Sequence, residues 1–166
     1  TPISEVQIYN NLIYLNGINQ PDPGRSGGIR VANRTTGIKI WNNTIYGNKG
    51  WGINMQIGMG GPPVDTIVQN NIVLDNTLGE IVDAGIGSTL SHNLITDPKF
   101  MNVRTFDFRL QSHSPAINMG VDLRRQVAVD YRNVPRPQGA IHDIGAYEME
   151  GSDSITPAAP KNLVAR

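Results

Sequence analysis

Four times in its first hundred residues the chain returns to the same short phrase, and that recurrence limits the fold more than any other feature. Val6-Gln7-Ile8-Tyr9-Asn10-Asn11-Leu12-Ile13-Tyr14-Leu15-Asn16 aligns position by position with Ile38-Lys39-Ile40-Trp41-Asn42-Asn43-Thr44-Ile45-Tyr46-Gly47-Asn48. Ile67 to Asn76 is a third copy, and Leu90 to Asp97 a fading fourth that keeps the second Asn and the apolar pair after it. Two copies lead into a Gly-Ile segment, Gly28-Ile29-Arg30-Val31 and Gly52-Ile53-Asn54-Met55. Each unit therefore reads strand, Asn corner, strand, Asn turn, loop, strand. β-Branched alternation without a helical period favours strands throughout.

The second Asn of each corner recurs after 43−11 = 32, 71−43 = 28 and 93−71 = 22 residues. This is too irregular for a propeller blade or a strict hexapeptide solenoid. It suits a coil of about 22 residues with loops of variable length, its strands stacking about 4.8 Å apart into parallel sheets. The expected fold is thus all-β, a right-handed parallel β-helix of about four coils with a C-terminal cap. Asn is depleted in strands but tolerates left-handed backbone, and its amide can bond its counterpart in the next coil. Asn11, Asn43, Asn71 and Asn93 are accordingly read as a structural ladder.

Length and charge narrow the classes. The 166 residues support one domain with a core and a short appendage. Fourteen basic residues balance fourteen acidic ones, which makes nucleic acid an unexpected partner. No run approaches the roughly 20 apolar residues of a membrane span, and the start at Thr1 reads as a cut from something longer. With no cysteine, disulfides and thiolate metal sites are excluded.

The Asn-Asn-x-Ile-Tyr-x-Asn units resemble the right-handed β-helix repeats of the pectate-lyase-like superfamily. Asp97 to Phe100, Asp107 to Gly120, Arg136-Pro137 and Asp143-Ile144-Gly145-Ala146-Tyr147-Glu148 resemble the closing segment of many bacterial secreted β-helix proteins. The resemblance covers residues 3–149. Residues 150–166 read as a linker, Gly151-Ser152-Asp153-Ser154, followed by the truncated first strand of a fibronectin type III domain. It implies a secreted or cell-surface protein that binds polysaccharide, as a lyase or glycosidase in its parent. The alternative is a noncatalytic stalk, adhesin or assembly component. Whether the chain is an enzyme is left open, and Ca²⁺ enters by resemblance alone.

In such proteins the glycan lies across one parallel sheet. Period-two alternation turns Ile29, Val31, Ile53 and Met55 inward, and Arg30 and Asn54 outward. Arg25 lies on an overhanging loop, Glu80 and Asp83 occupy the next rung, and Trp51 is the better sugar platform. These six are the expected substrate-binding residues. No Lys-Arg pair for a lyase, outward acid pair for a hydrolase, or acidic cluster for a metal accompanies them, so no catalytic residue is assigned. Tyr9 and Trp41 are expected to stack across rungs. Phe100, Phe106, Phe108, Leu110, Ala116 and Ile117 are expected to cover the last coil, with Asp143 to Glu148 as a final strand. His113 and His142 are read as structural or solvated. The first coil is expected to leave Ile8, Leu12 and Ile13 open to upstream coils or another chain.

Overall fold

The computed structural model describes residues 3–151, apart from the side chain of Arg25. Among these residues there are twelve strands, and the helix content is two single 3-10 turns at 23–25 and 103–105. Three parallel sheets are built from successive repeats, each of the first three giving one strand to every sheet and the fourth a strand to the first sheet alone. The first contains β1 (Gln7–Tyr9), β4 (Lys39–Trp41), β7 (Ile67–Gln69) and β10 (Thr89–Ser91). The second contains β2 (Leu12–Tyr14), β5 (Thr44–Tyr46) and β8 (Ile72–Leu74), and the third β3 (Gly27–Val31), β6 (Trp51–Met55) and β9 (Gly79–Asp83). Strand pairing always joins one repeat to the next, in the register that aligns their sequences: Ile8 with Ile40, Ile40 with Val68, Val68 with Leu90. This arrangement is consistent with a β-helix solenoid.

Alternation decides what fills the interior. Ile40, Val68, Ile45, Val73, Ile29, Ile53, Val31 and Met55 form one buried cluster, with Ile8, Ile13, Ile81, Leu90 and Ile95 partly buried at its ends. Full burial of such a side chain contributes about 1.5–3 kcal/mol, so the central rungs are the best stabilised. Corners between the sheets need left-handed backbone. Asn10, Asn42, Asn70 and His92 supply it at the first corner with φ between 48° and 57°, and Asn and His tolerate that region better than most residues.

Residues after the fourth repeat depart from expectation. β11 (Phe100–Asn102) and β12 (Asp107–Leu110) pair antiparallel. Phe100, Phe108, Leu110, Ala116 and Ile117 are buried with Ile72 and Leu94, against partly buried Leu12 and Tyr46. Those last four residues lie on the outer side of the second sheet, whose inner row is Ile13, Ile45 and Val73. The segment thus covers the flank of the coils rather than the end of the last one, and Leu12 meets this cover instead of lying open. Phe106 remains 41% exposed, stacked on Tyr14 at 5.0 Å. Residues 143–148 form no strand; Gly145 N donates to Asn70 O and Ala146 N to Thr44 Oγ1. Trp41 follows Tyr9 in register but is buried with Leu123 and Val127, so its ring is taken up by the closing segment. The fibronectin-like strand lies outside the described residues.

Candidate functional site

On the third sheet the outward row runs Arg30, Asn54, Val82. Arg30 is exposed, and among the described residues it forms no ion pair. Asn54 does not reach solvent: it is 1% exposed, with Nδ2 weakly donating to Gly24 O at 3.4 Å. The cause is the loop before β3, which Asp22 ties into a 3-10 turn by accepting from Gly24 N. The loop lies over the second rung. Asn54 Oδ1 meets no protein donor. Arg25 ends that turn, and its side chain lies outside the description.

Trp51 is half-buried and faces Gly79 of the next rung, where an added Cβ would stand 2.6 Å from its ring. Gly79 also has φ +133°, so a side chain there is doubly disfavoured and the indole packs on bare backbone. Asp83 is exposed, its carboxylate accepting from Gly85 N and Ser88 Oγ.

Glu80 corrects the expectation most clearly. Its Oε2 accepts from Asn76 Nδ2 at 2.7 Å, which turns it toward the Asn turn and away from the outer face. Burial raises its pKa, and the bonds from Asn76 partly oppose that. Period-two counting fails here because Glu80 aligns with Gly52, whose virtual Cβ points at Val73 of the core. Glu80 in fact ends a second ladder. Asn16 Nδ2 donates to Asn48 Oδ1 at 3.1 Å, Asn48 Nδ2 to Asn76 Oδ1 at 2.9 Å, and Asn76 Nδ2 to Glu80. The first ladder has the same form: Asn11, Asn43 and Asn71 each donate Nδ2 to the next Oδ1 at 2.9 Å, ending on Asn93.

The first Asn of each pair has a separate task. Asn10 Nδ2 donates to Val129 O at 2.6 Å and Asn42 Nδ2 to Asp143 O at 2.9 Å. Asn70 Nδ2 donates to Val121 O while its Oδ1 accepts from Val121 N. Three successive corners thus hold the closing segment. Burial of Asn42 also leaves no room at the glycosylation sequon Asn42-Asn43-Thr44.

Sequence reasoning missed the polar knot beneath that segment. Arg136 Nη1 pairs with Glu148 Oε2 at 2.8 Å, both side chains being buried. Arg136 Nη2 donates to Gly145 O and, more weakly, to Asn10 Oδ1. Glu148 also accepts from the amides of Gln138 and Asp143, and Asp143 from those of Asn118 and Met149. Burial and the neighbouring Glu148 push Asp143 up to about 7. The knot's signal in the sequence was the charged set Arg136, Asp143 and Glu148, a spacing that resembles nothing catalytic. Every carboxylate oxygen of the pair is committed within the fold.

His142 sits in the same region, fully buried, with neither ring nitrogen meeting a protein partner. Burial, then the Arg136 charge, lowers its pKa to about 4. The folded value lies below that of a free imidazole, about 6.5. The resulting contribution is whole above pH 6.5 and is lost as pH falls toward 4. Asp143 acts oppositely, since a raised acid loses stability as pH rises from about 4 through 7. We expect His142→Leu to gain melting temperature relative to the parent at pH 5 compared with pH 8. An equal difference at both pH values would show that His142 does not carry this acid sensitivity.

Among the described residues no group of three or more His, Asp or Glu is placed to hold a metal ion, so no step is derived through Ca²⁺. Nor, among the described residues, is any helix long and apolar enough to cross a membrane. The chain matches no family model, no curated protein and no solved structure.

Proposed function

We propose that this chain is the glycan-binding part of a secreted right-handed β-helix protein of about four coils, akin to the pectate-lyase-like superfamily, and that an extended polysaccharide lies along its third sheet. The observation that carries the reading is Arg30, an exposed guanidinium that meets no carboxylate among the described residues, on a parallel sheet one strand from half-buried Trp51. Such a cation can take a uronate carboxylate in a forked pair of hydrogen bonds. No role in cleavage is assigned to Glu80, which is held by Asn76, or to Asp83, which is held by Gly85 and Ser88. Arg30→Ala should weaken retention on polygalacturonate or alginate by about ten- to a hundredfold, in keeping with about 1.5–3 kcal/mol for a charged hydrogen bond. Unchanged retention on both in affinity electrophoresis would refute the site. A second reading, a noncatalytic stalk, is favoured by the closing segment, because tying three corners together stiffens a rod.

A further inference from the structure

We propose that Asn16 is a site of spontaneous covalent modification, deamidating through a succinimide formed with Gly17. Asn16-Gly17 is the single Asn-Gly step in the sequence. Glycine matters because the ring closes by attack of the next residue's amide nitrogen, and a side chain there obstructs the approach.

The ladders supply an internal comparison. Behind Asn43, Asn71 and Asn93 the attacking nitrogens belong to Thr44, Ile72 and Leu94, and each donates to a carbonyl of the preceding rung. In the second ladder the same holds for Lys49 behind Asn48 and Thr77 behind Asn76, donating to Asn16 O and Asn48 O. Gly17 N makes no such bond, although Gly17 O accepts from Gln20 N in the turn that follows. Asn43, Asn48, Asn71, Asn76 and Asn93 are also buried, whereas Asn16 is exposed. Exposure leaves only the first-rung members Asn11 and Asn16, and of these Asn11 is followed by Leu12 and Asn16 by Gly17, so the glycine decides between them.

The step balances without any oxidant or cofactor. Gly17 N bonds to Asn16 Cγ, the Cγ–Nδ2 bond breaks, and Nδ2 leaves as ammonia carrying the proton from Gly17 N. Water then opens either imide bond, giving aspartate or isoaspartate. One water is consumed and one ammonia released. The product has an oxygen where Nδ2 had donated to Asn48 Oδ1, so two acceptors face each other and the side-chain link of this rung is lost, leaving the backbone bond from Asn16 N to Asn48 Oδ1.

The test is incubation of the folded chain at mildly alkaline pH, with peptide mass mapping and an ammonia assay over time. Conversion at Asn16 should run at least about tenfold faster than at any other asparagine, a difference of about 1.4 kcal/mol in barrier. Asn16→Gln, which keeps a carboxamide but cannot form the five-membered ring, should abolish the fast ammonia release. The proposal is overturned if Asn16 stays intact in the folded chain while converting in urea, or if other asparagines convert as fast.

Discussion

Asn71→Ala should cost about 3–5 kcal/mol of folding stability, because one fully buried carboxamide joins five groups of three successive rungs. Asn71 Oδ1 accepts from both the amide and the Nδ2 of Asn43, and its own Nδ2 reaches Asn93 Oδ1, Ile40 O and Gln69 O, all at 2.9–3.0 Å. The site is fully buried, so water cannot replace these bonds. Asn71→Asp should be worse, since it retains the acceptor for Asn43 but points a second oxygen at three acceptors and buries a charge. Asn11→Ala, at an exposed rung, should cost only about 1 kcal/mol. Urea unfolding of the three variants checks the order. Equal costs at Asn11 and Asn71 would mean that ladder bonds do not gain from burial.

The second large effect is expected at Arg136. Replacing it with Met leaves Glu148 buried without its cation, a change that costs about 3–5 kcal/mol. It also strips the carbonyls of Asp143 and Gly145 of a donor. Arg136→Lys keeps the charge but loses the fork that spans these acceptors, so an intermediate loss is expected. Because Trp41 is covered by Leu123 and Val127, release of the closing segment should expose its indole. A red-shifted emission at denaturant concentrations that leave the coil circular dichroism intact would report detachment without unfolding. Loss of both signals together would mean that segment and coils unfold as one unit. A cost under about 1 kcal/mol for Arg136→Met would show the pair to be dispensable.

Residues whose partners repeat with them were legible in sequence. The second Asn of each corner bonds its own counterpart one unit later, so spacing alone exposed the relation, and Ile40, Val68, Ile45 and Val73 were readable as an inner row for the same reason. Asn10, Asn42 and Asn70 were opaque, because their partners stand 119, 101 and 51 residues away in a segment with no repeat. The closing segment showed its apolar content but not its position, since Phe100, Phe108 and Ile117 serve equally against a flank or an end. Glu80 was misplaced by alternation that stops at the glycine position it occupies. The choice of Trp51 and Arg30 rested on residue type alone, whereas the burial of Asn54 depended on where a loop would fall.

The asparagine ladders also make the coil stack electrically polar along its length. In each of them every carboxamide points its nitrogen toward later coils and its oxygen toward earlier ones, so the amide dipoles add head to tail as peptide dipoles do along a helix. The positive pole of the second ladder falls at Asn76, and the carboxylate of Glu80 stands against it at 2.7 Å. An acid at that position is the electrostatic counterpart of an aspartate capping the first turn of a helix. At the opposite pole an added negative charge is repelled, and a cation there would complete the pattern.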